Sequence, residues 1–188
     1  MPDPLRLVTP APVYLSSYRA ALEEGWSPDT VLGAIATHRE LDQIDRNPMA
    51  FLMSLDDPKG KGPPIVLKDG TTRPRLPGYR RWMWDGAFCG SISFRWQEGT
   101  ATLPEHVPGH VGFGVVPWKR GHGYAARALE ALLPDARGRG LPWIELTADE
   151  GNIASRRTIE RCGGVLIGRF EKDAAQGGDE SLRYRIML

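Results

Sequence analysis

The sequence predicts an α/β fold of the mixed α+β kind, a mostly antiparallel central sheet flanked by helices. Three observations carry that expectation. In "YRRWMWDGAFCGSISF" two β-like runs flank Asp85-Gly86, a strong short-range hairpin signal. One strand–helix–strand–helix passage fills 110–164. The chain then closes on two more β-like runs, "VLIGRF" and "LRYRIML", either side of the polar segment 171–181. Locally paired strands around a single helical crossover give a mixed sheet with helices on its faces.

Length and charge narrow the class. A chain of 188 residues suits one domain, 1–188, long enough to bury a core. Lys+Arg at 24 against Asp+Glu at 23 lacks the basic excess of a nucleic-acid binder. Cys89 and Cys162 make neither a disulfide framework nor a metal-ligand pattern, so no metal is expected. The start "MPDPLRLVTPAP" has no charged segment leading into an apolar one, so no signal peptide is read. No apolar run approaches the ~18 residues of a membrane span. These features describe a soluble cytoplasmic protein without membrane or nucleic-acid partners, with a homodimer left open.

In chain order, "LRLV" (5–8) is a short strand, and "TPAPVYLSSYRAALEEG" is a helix closed by Gly25. Ser27 before Pro28 reads as the N-cap of a helix over 27–44, with proline in its first turn. Residues 54–78, rich in Pro, Gly and charge, read as a long surface loop, a length uncommon unless functional or disordered. After the hairpin, "HVGFGVV" (110–116) is a strand ended by Pro117. Ala125, Ala128, Leu129, Leu132 and Leu133 recur at helical spacing, an apolar stripe for one face of a sheet. Pro134 is expected to end or kink that helix. "PWIELTA" (142–148) is the next strand, and Gly163-Gly164 stops the helix "NIASRRTIERCGG".

The chemistry concentrates in "VVPWKRGHGYAARAL" (115–129), a glycine-rich turn from strand to helix. The nucleoside-triphosphate string G-x-x-x-x-G-K-[ST] is absent. A dinucleotide turn is a competing reading. Gly121-His122-Gly123-Tyr124-Ala125-Ala126 fits G-x-G-x-x-A, and Glu145 stands near the place of a ribose-binding acid. Against it, Glu145 lies inside "WIELTA", and the region before the motif reads as antiparallel. The third reading is Arg120-x-x-Gly123-x-Ala125, with the backbone donors of Arg120, Gly121, His122 and Gly123 gathered at a helix N-terminus. Such an end attracts anions, and its glycines let a pyrophosphate approach the main chain.

That pattern resembles the pyrophosphate-binding motif R/Q-x-x-G-x-G/A of the GNAT superfamily of acyl-CoA N-acyltransferases. A second segment agrees: Asn152, Ser155, Glu160 and Gly163 match the family's N-x-x-S-x-x-x-x-E-x-x-G. The resemblance covers 78–170, and within it "GHVGFGVVPWKRGHGYA" and "NIASRRTIERCGGV" are similar to a group of predicted acetyltransferases. It implies a splayed sheet with acyl-CoA lying between strands 110–116 and 143–148, and a coenzyme A core at 109–164. The N-terminal helices and the 54–78 loop would then face the acceptor.

The resemblance also implies roles. Backbone groups of Val115 and Val116 would bond the pantetheine arm, one N–H polarising the thioester carbonyl. Arg120, Gly121, His122, Gly123, Tyr124 and Ala125 would hold the pyrophosphate, whereas Lys119 is as readily a solvated charge. Asn152 is an N-cap to which the family adds a pantetheine contact, and Arg156 and Arg157 would reach the 3′-phosphate. The family's usual acid, a tyrosine, falls on Ile159, which leaves Ser155 or Tyr184 to protonate the thiolate; Ser155 otherwise back-bonds to its helix. The usual base, a glutamate, falls on Gly109, and Glu105, His106, His110, Glu145 and Asp149 are the alternatives. Without a base, proximity and solvent would serve. Trp82, Trp84, Trp96 and Trp118 read as core with one or two walling an amine pocket. Cys162 reads as packing, so transfer would be direct.

The implied activity is acetyl transfer from acetyl-CoA to a small-molecule or peptide amine in a ternary complex. A non-catalytic acyl-CoA-binding module and a dinucleotide-binding protein are the alternatives.

Overall fold

The computed structural model describes residues 4–66, 70–171 and 180–188. The chain runs β1 (Arg6–Val8), α1 (Pro12–Glu23), α2 (Ala34–Arg46) and α3 (Pro48–Ser54). Three two-residue strands follow: β2 (Asp56–Asp57), β3 (Ile65–Val66) and β4 (Thr72–Arg73). Then come β5 (Gly78–Trp84), β6 (Phe88–Arg95), β7 (Val111–Val115), α4 (Tyr124–Gly138), β8 (Trp143–Asp149), α5 (Ile153–Arg161), β9 (Val165–Glu171) and β10 (Glu180–Met187).

The strands form two main sheets, β1-β5-β6-β7 and β8-β10-β9, with β2 added to β5 and β3 paired to β4. Every ladder among the described residues is antiparallel. This removes the dinucleotide reading, which needs a parallel βαβ sheet. Alternation along the strands makes two cores. Met83, Ile92, Phe94 and Trp96 pack with Leu129, Leu132 and Ala136 of α4 and with Ile144 and Leu146. Trp82, Phe88 and Val116 pack on the other face with Tyr18, Leu22 and Phe51 of α1 and α3. Leu129 and Leu132 are almost wholly buried, each contributing ~1.5–3 kcal/mol. That second face also carries Ser91 and Arg95 of β6, Gly112 and Gly114 of β7 and Glu145 of β8, with Ser91 and Glu145 buried.

Three sequence expectations change. Ser27 does not cap a helix: its hydroxyl bonds the carbonyls of Asp29 and Gly33, and α2 starts only after Gly33, whose φ is +51°. Pro134 neither ends nor breaks α4, which continues to Gly138. Leu133 and Ala136 keep the apolar stripe seated on either side of it, and that burial offsets the one missing backbone donor. The 54–78 segment carries three short strands and a turn closed by Asp57, whose carboxylate accepts the Lys61 and Gly62 N–H groups at 2.9 and 2.8 Å; its residues 67–69 lie outside the described residues. In the terminal hairpin, likewise, 172–179 lie outside them.

Candidate active site

The two sheets touch at one row and part beyond it. His110 N–H donates to the Glu145 carbonyl at 2.7 Å, and the Glu145 N–H donates to His110 Nδ1 at 3.0 Å. Past that apex β7 pairs only with β6, and β8 only with β10, so a wedge opens between them. Gly109 makes the close approach possible, because a Cβ there would stand 2.9 Å from the Glu145 carbonyl oxygen. A glutamate therefore has no room at that position.

Main-chain direction decides which donors face the wedge. Val116 gives its N–H to the Cys89 carbonyl at 3.0 Å, which removes it from the donors expected at the wedge. Bonding alternates along an antiparallel strand, so Val115 and Phe113 turn their N–H groups the other way, into the opening. The Val115 carbonyl points there too, where it accepts from Arg120 Nε at 3.3 Å.

The loop after β7 begins with a single 3-10 turn, Pro117–Lys119, and ends at Gly123. Gly121 and Gly123 hold φ of +81° and +71°, and nothing lies within 4 Å of where a Cβ would be on either. The cradle is therefore both glycine-dependent and open. No side chain caps α4, leaving its first N–H groups without intrahelical partners. Arg120, His122 and Arg127 surround this end. The Arg127 guanidinium bonds the His122 carbonyl at 2.9 Å and lies 4.9 Å from the Tyr124 ring centre. The N-terminus of α5 is the opposite case. Asn152 caps it by accepting the Ser155 N–H at 3.1 Å, and Asp149, Glu150 and Glu180 line the depression in front of it. An anion is favoured at α4 and repelled at α5.

A buried cluster fixes the loop to the β5–β6 hairpin. Asp85 Oδ2 accepts from Lys119 Nζ at 2.8 Å and from the Tyr124 hydroxyl at 2.6 Å. Burial alone would raise the Asp85 pKa, but hydrogen bonds from Lys119, Tyr124 and Cys89 bring it to about 2. Lys119 is thus an anchor and not a solvated charge. Burial pushes the Cys89 thiol up to about 12 and raises Cys162, which packs on the Ala126 carbonyl. Neither thiol carries the thiolate that an acyl-enzyme requires.

The acid and base candidates fall in different places. His110 is fully buried, edge-on to Trp143, and burial lowers its pKa to about 4 despite Glu145 nearby. Its Nδ1 lone pair is spent on Glu145, so the neutral ring carries its proton on Nε2 and has no lone pair for a base. Glu145 is held by Arg185 at 2.7 Å and Arg183 at 3.5 Å. Asp149 accepts from Ser181 at 2.9 Å. Glu105 is exposed and His106 half-buried in the loop leading to β7. Tyr184 is buried behind α5, where its hydroxyl donates to Glu160 at 3.0 Å and accepts from Arg156 Nε at 3.3 Å. Arg156 also bonds the Glu150 carbonyl at 3.0 Å, whereas Arg157 is exposed. The half-buried Ser155 hydroxyl makes no hydrogen bond among the described residues and does not back-bond to its helix.

Of the tryptophans, Trp82 and Trp96 are core, Trp84 packs on Tyr14, and Trp118 is exposed beside the loop. Trp143 belongs to β8 itself, and Trp26 reaches β7 from the N-terminal segment, its ring 3.8 Å from where a Cβ on Gly114 would stand. Trp26 and Arg95 carry no local motif and escaped the sequence reading, and Asp85 was legible there as a hairpin turn but not as the partner of Lys119 and Tyr124.

The acetyltransferase (GNAT) domain family matches residues 69–165, more than half of the chain. The chain belongs to the GNAT acetyltransferase family. It is an acyltransferase, with the splayed sheet that the family resemblance implied. No curated protein sequence matches the chain. Among solved structures, the microcin C7 self-immunity acetyltransferase MccE, in complex with acetyl-CoA and AMP, is similar with TM-score 0.66 at 15% identity, covering 99% of this chain and 93% of that one. RimL, a ribosomal L7/L12 α-N-protein acetyltransferase in complex with coenzyme A, gives 0.63 at 12%, covering 98% and 94%. A GNAT-family acetyltransferase from Bacillus anthracis gives 0.62 at 17%, covering 100% and 96%. At these identities the likeness establishes the fold. Among the described residues no group of side chains could hold a metal ion, and no helix is long and apolar enough to cross a membrane.

Proposed function

We propose that this GNAT acetyltransferase moves an acetyl group from acetyl-CoA to an amine by direct attack in a ternary complex. The observation that carries the reading is the open glycine cradle of Gly121 and Gly123 at the uncapped end of α4, beside the wedge between β7 and β8. That arrangement fits an acyl-CoA: a basic anion site for the diphosphate, then a cleft edged by main-chain donors for an amide-bearing arm. Both structural relatives bound to acetyl-CoA or coenzyme A support the cosubstrate.

Acetyl-CoA supplies an activated thioester. Arg120 and the main chain of 121–125 hold the diphosphate, and Phe113 and Val115 offer N–H groups to the pantetheine and the thioester carbonyl. With Arg156 engaged, the exposed Arg157 is the one of the two left free to meet the 3′-phosphate. Asn152 and Ser155 border the sulfur end, and the free Ser155 hydroxyl gives up a proton to the leaving thiolate. His110 and Glu145 are both engaged, so the ammonium of the acceptor loses its proton to solvent and proximity carries the rate. The acceptor enters on the face of β6, β7 and β8 that lies opposite α4. Relatives named for a protein α-amino group and for microcin immunity support peptide and small-molecule amines alike.

Calorimetric titration with acetyl-CoA, beside NAD and NADP, tests the reading. Saturable micromolar binding of acetyl-CoA alone is expected, followed by turnover on an amine panel. Binding without turnover on any amine would leave a module that holds acyl-CoA, and no binding would remove the site.

A further inference from the structure

Arg95 ends β6 at the apex of the wedge, its N–H donating to the His110 carbonyl at 2.9 Å. Ile92, Phe94 and Trp96 turn into the α4 core, so Arg95 projects with Ser91 and Ser93 onto the opposite face of the sheet. The guanidinium lies across β7, with Nη2 3.5 Å from where a Cβ on Gly112 would stand. Gly112 and Gly114 make that stretch of β7 a floor without side chains, and the Trp26 ring walls its far end.

Arg95 is half-buried, yet it has no ion pair and no side-chain hydrogen bond among the described residues. Its neighbours on the same face are all matched: Arg80 with Glu40 at 2.8 Å, and Arg183 and Arg185 with Glu145. Among the described residues the one acid that favours the Arg95 cation is Asp29, whose Oδ1 is committed to the Val31 and Leu32 N–H groups and which stands outside ion-pair reach. Burial and the like charge of Arg80 both disfavour the Arg95 cation. An enclosed guanidinium without a counter-ion is costly to keep, and its forked donors match a carboxylate or phosphate.

We infer that Arg95 recognises an anionic group, carboxylate or phosphate, carried by the acceptor on the same molecule as its amine. A ligand lying over Gly112 and Gly114 brings its anion to Arg95 and its amine to the β7 edge of the wedge. Calling that ligand the acceptor rests on the acetyl-transfer reading above; the anion site itself does not.

The test uses the full chain in two arms. With coenzyme A saturating its own site, calorimetry measures succinate and inorganic phosphate binding to the unaltered protein and to Arg95→Gln. Millimolar or tighter binding of at least one anion, weakened tenfold or more by the substitution, is expected, and Arg95→Lys should recover part of it. Acetyl transfer is then compared within matched pairs, 4-aminobutyrate against butylamine and phosphoethanolamine against ethanolamine. The anionic member of one pair should be preferred at least tenfold in kcat/KM, which names carboxylate or phosphate, and Arg95→Gln should collapse that ratio through KM. An unchanged acetyl-CoA affinity certifies that Arg95→Gln is folded. Neither anion binding, or equal binding to both proteins, overturns the inference while leaving acetyl transfer standing. Failure of acetyl-CoA to bind at all would instead remove the acetyl-transfer reading.

Discussion

Lys119 Nζ sits 2.8 Å from Asp85 Oδ2, and that contact joins the glycine loop to a hairpin turn 34 residues earlier. The Tyr124 hydroxyl reaches the same oxygen from the other end of the loop. Asp85 thus closes a ring around residues 120–123 and holds their N–H groups in place before any anion arrives. Asp85→Asn should cost about 1.5–3 kcal/mol of unfolding free energy, the range for hydrogen bonds to a charged group. It should also weaken acetyl-CoA binding several-fold. Urea unfolding and calorimetry measure the two effects, and unchanged affinity in a destabilised variant would mean that the loop holds its shape unaided.

The same carboxylate gives an acid limit. Its folded pKa, about 2, lies below the model-peptide value of 3.8, so the unfolded chain binds more protons between those values. The stabilisation is complete above about 4 and is lost as pH falls toward 2. Unfolding measured across this window should lose part of its slope in Asp85→Asn.

His110 acts one step higher on the pH scale. Burial lowers its pKa from 6.5 to about 4, so here too the unfolded state takes up the proton first. Stability should fall as pH drops from about 6.5 to 4 and then stop responding to this group. His110→Asn keeps an acceptor for the Glu145 N–H and removes the titration. Equal slopes in the two proteins between pH 6.5 and 4.5 would show that the imidazole is not buried in solution.

What could be read in advance was local. The hairpin at Asp85-Gly86, the glycine turn at 121–123 and the Asn152 cap each depend on residues a few positions apart. The failures were contests between local signals and packing. Ser27 has the composition of a cap, yet Gly33 adopts the positive φ that fixes where α2 begins. Pro134 is a breaker, yet Leu133 and Ala136 are buried on either side of it. Asp85 with Lys119, and Arg95 over Gly112, depend on strand register, and a single sequence does not state register. His110 and Glu145 looked like a base because their types suit one; only geometry reveals that each is already bonded.

Gly123 tests the cradle itself. Its φ of +71° suits glycine, and no atom crowds the position, so a larger residue strains the backbone without striking a neighbour. Gly123→Val should cost about 1–3 kcal/mol of stability and abolish acetyl-CoA binding while the chain stays folded. Retained binding would take the phosphate away from this loop. Arg120→Ala, which removes the guanidinium but leaves the cradle backbone, should weaken acetyl-CoA by about 1.5–3 kcal/mol.

Ser155 decides how the thiolate leaves. The family's tyrosine position holds Ile159, 1% exposed and part of the α4 core, so no hydroxyl can act from there. Tyr184 has a hydroxyl, but it is locked between Glu160 and Arg156. Ser155 lies half-buried in the first turn of α5, with a hydroxyl that nothing in the described structure uses. Proton donation by a positioned group is worth about 100-fold or more. Ser155→Ala should therefore lower kcat by that order while KM for acetyl-CoA changes little, and Tyr184→Phe should leave kcat within a few-fold. A Ser155→Ala enzyme with undiminished kcat, and a rate insensitive to the pKa of substituted thiol leaving groups, would assign thiolate protonation to water.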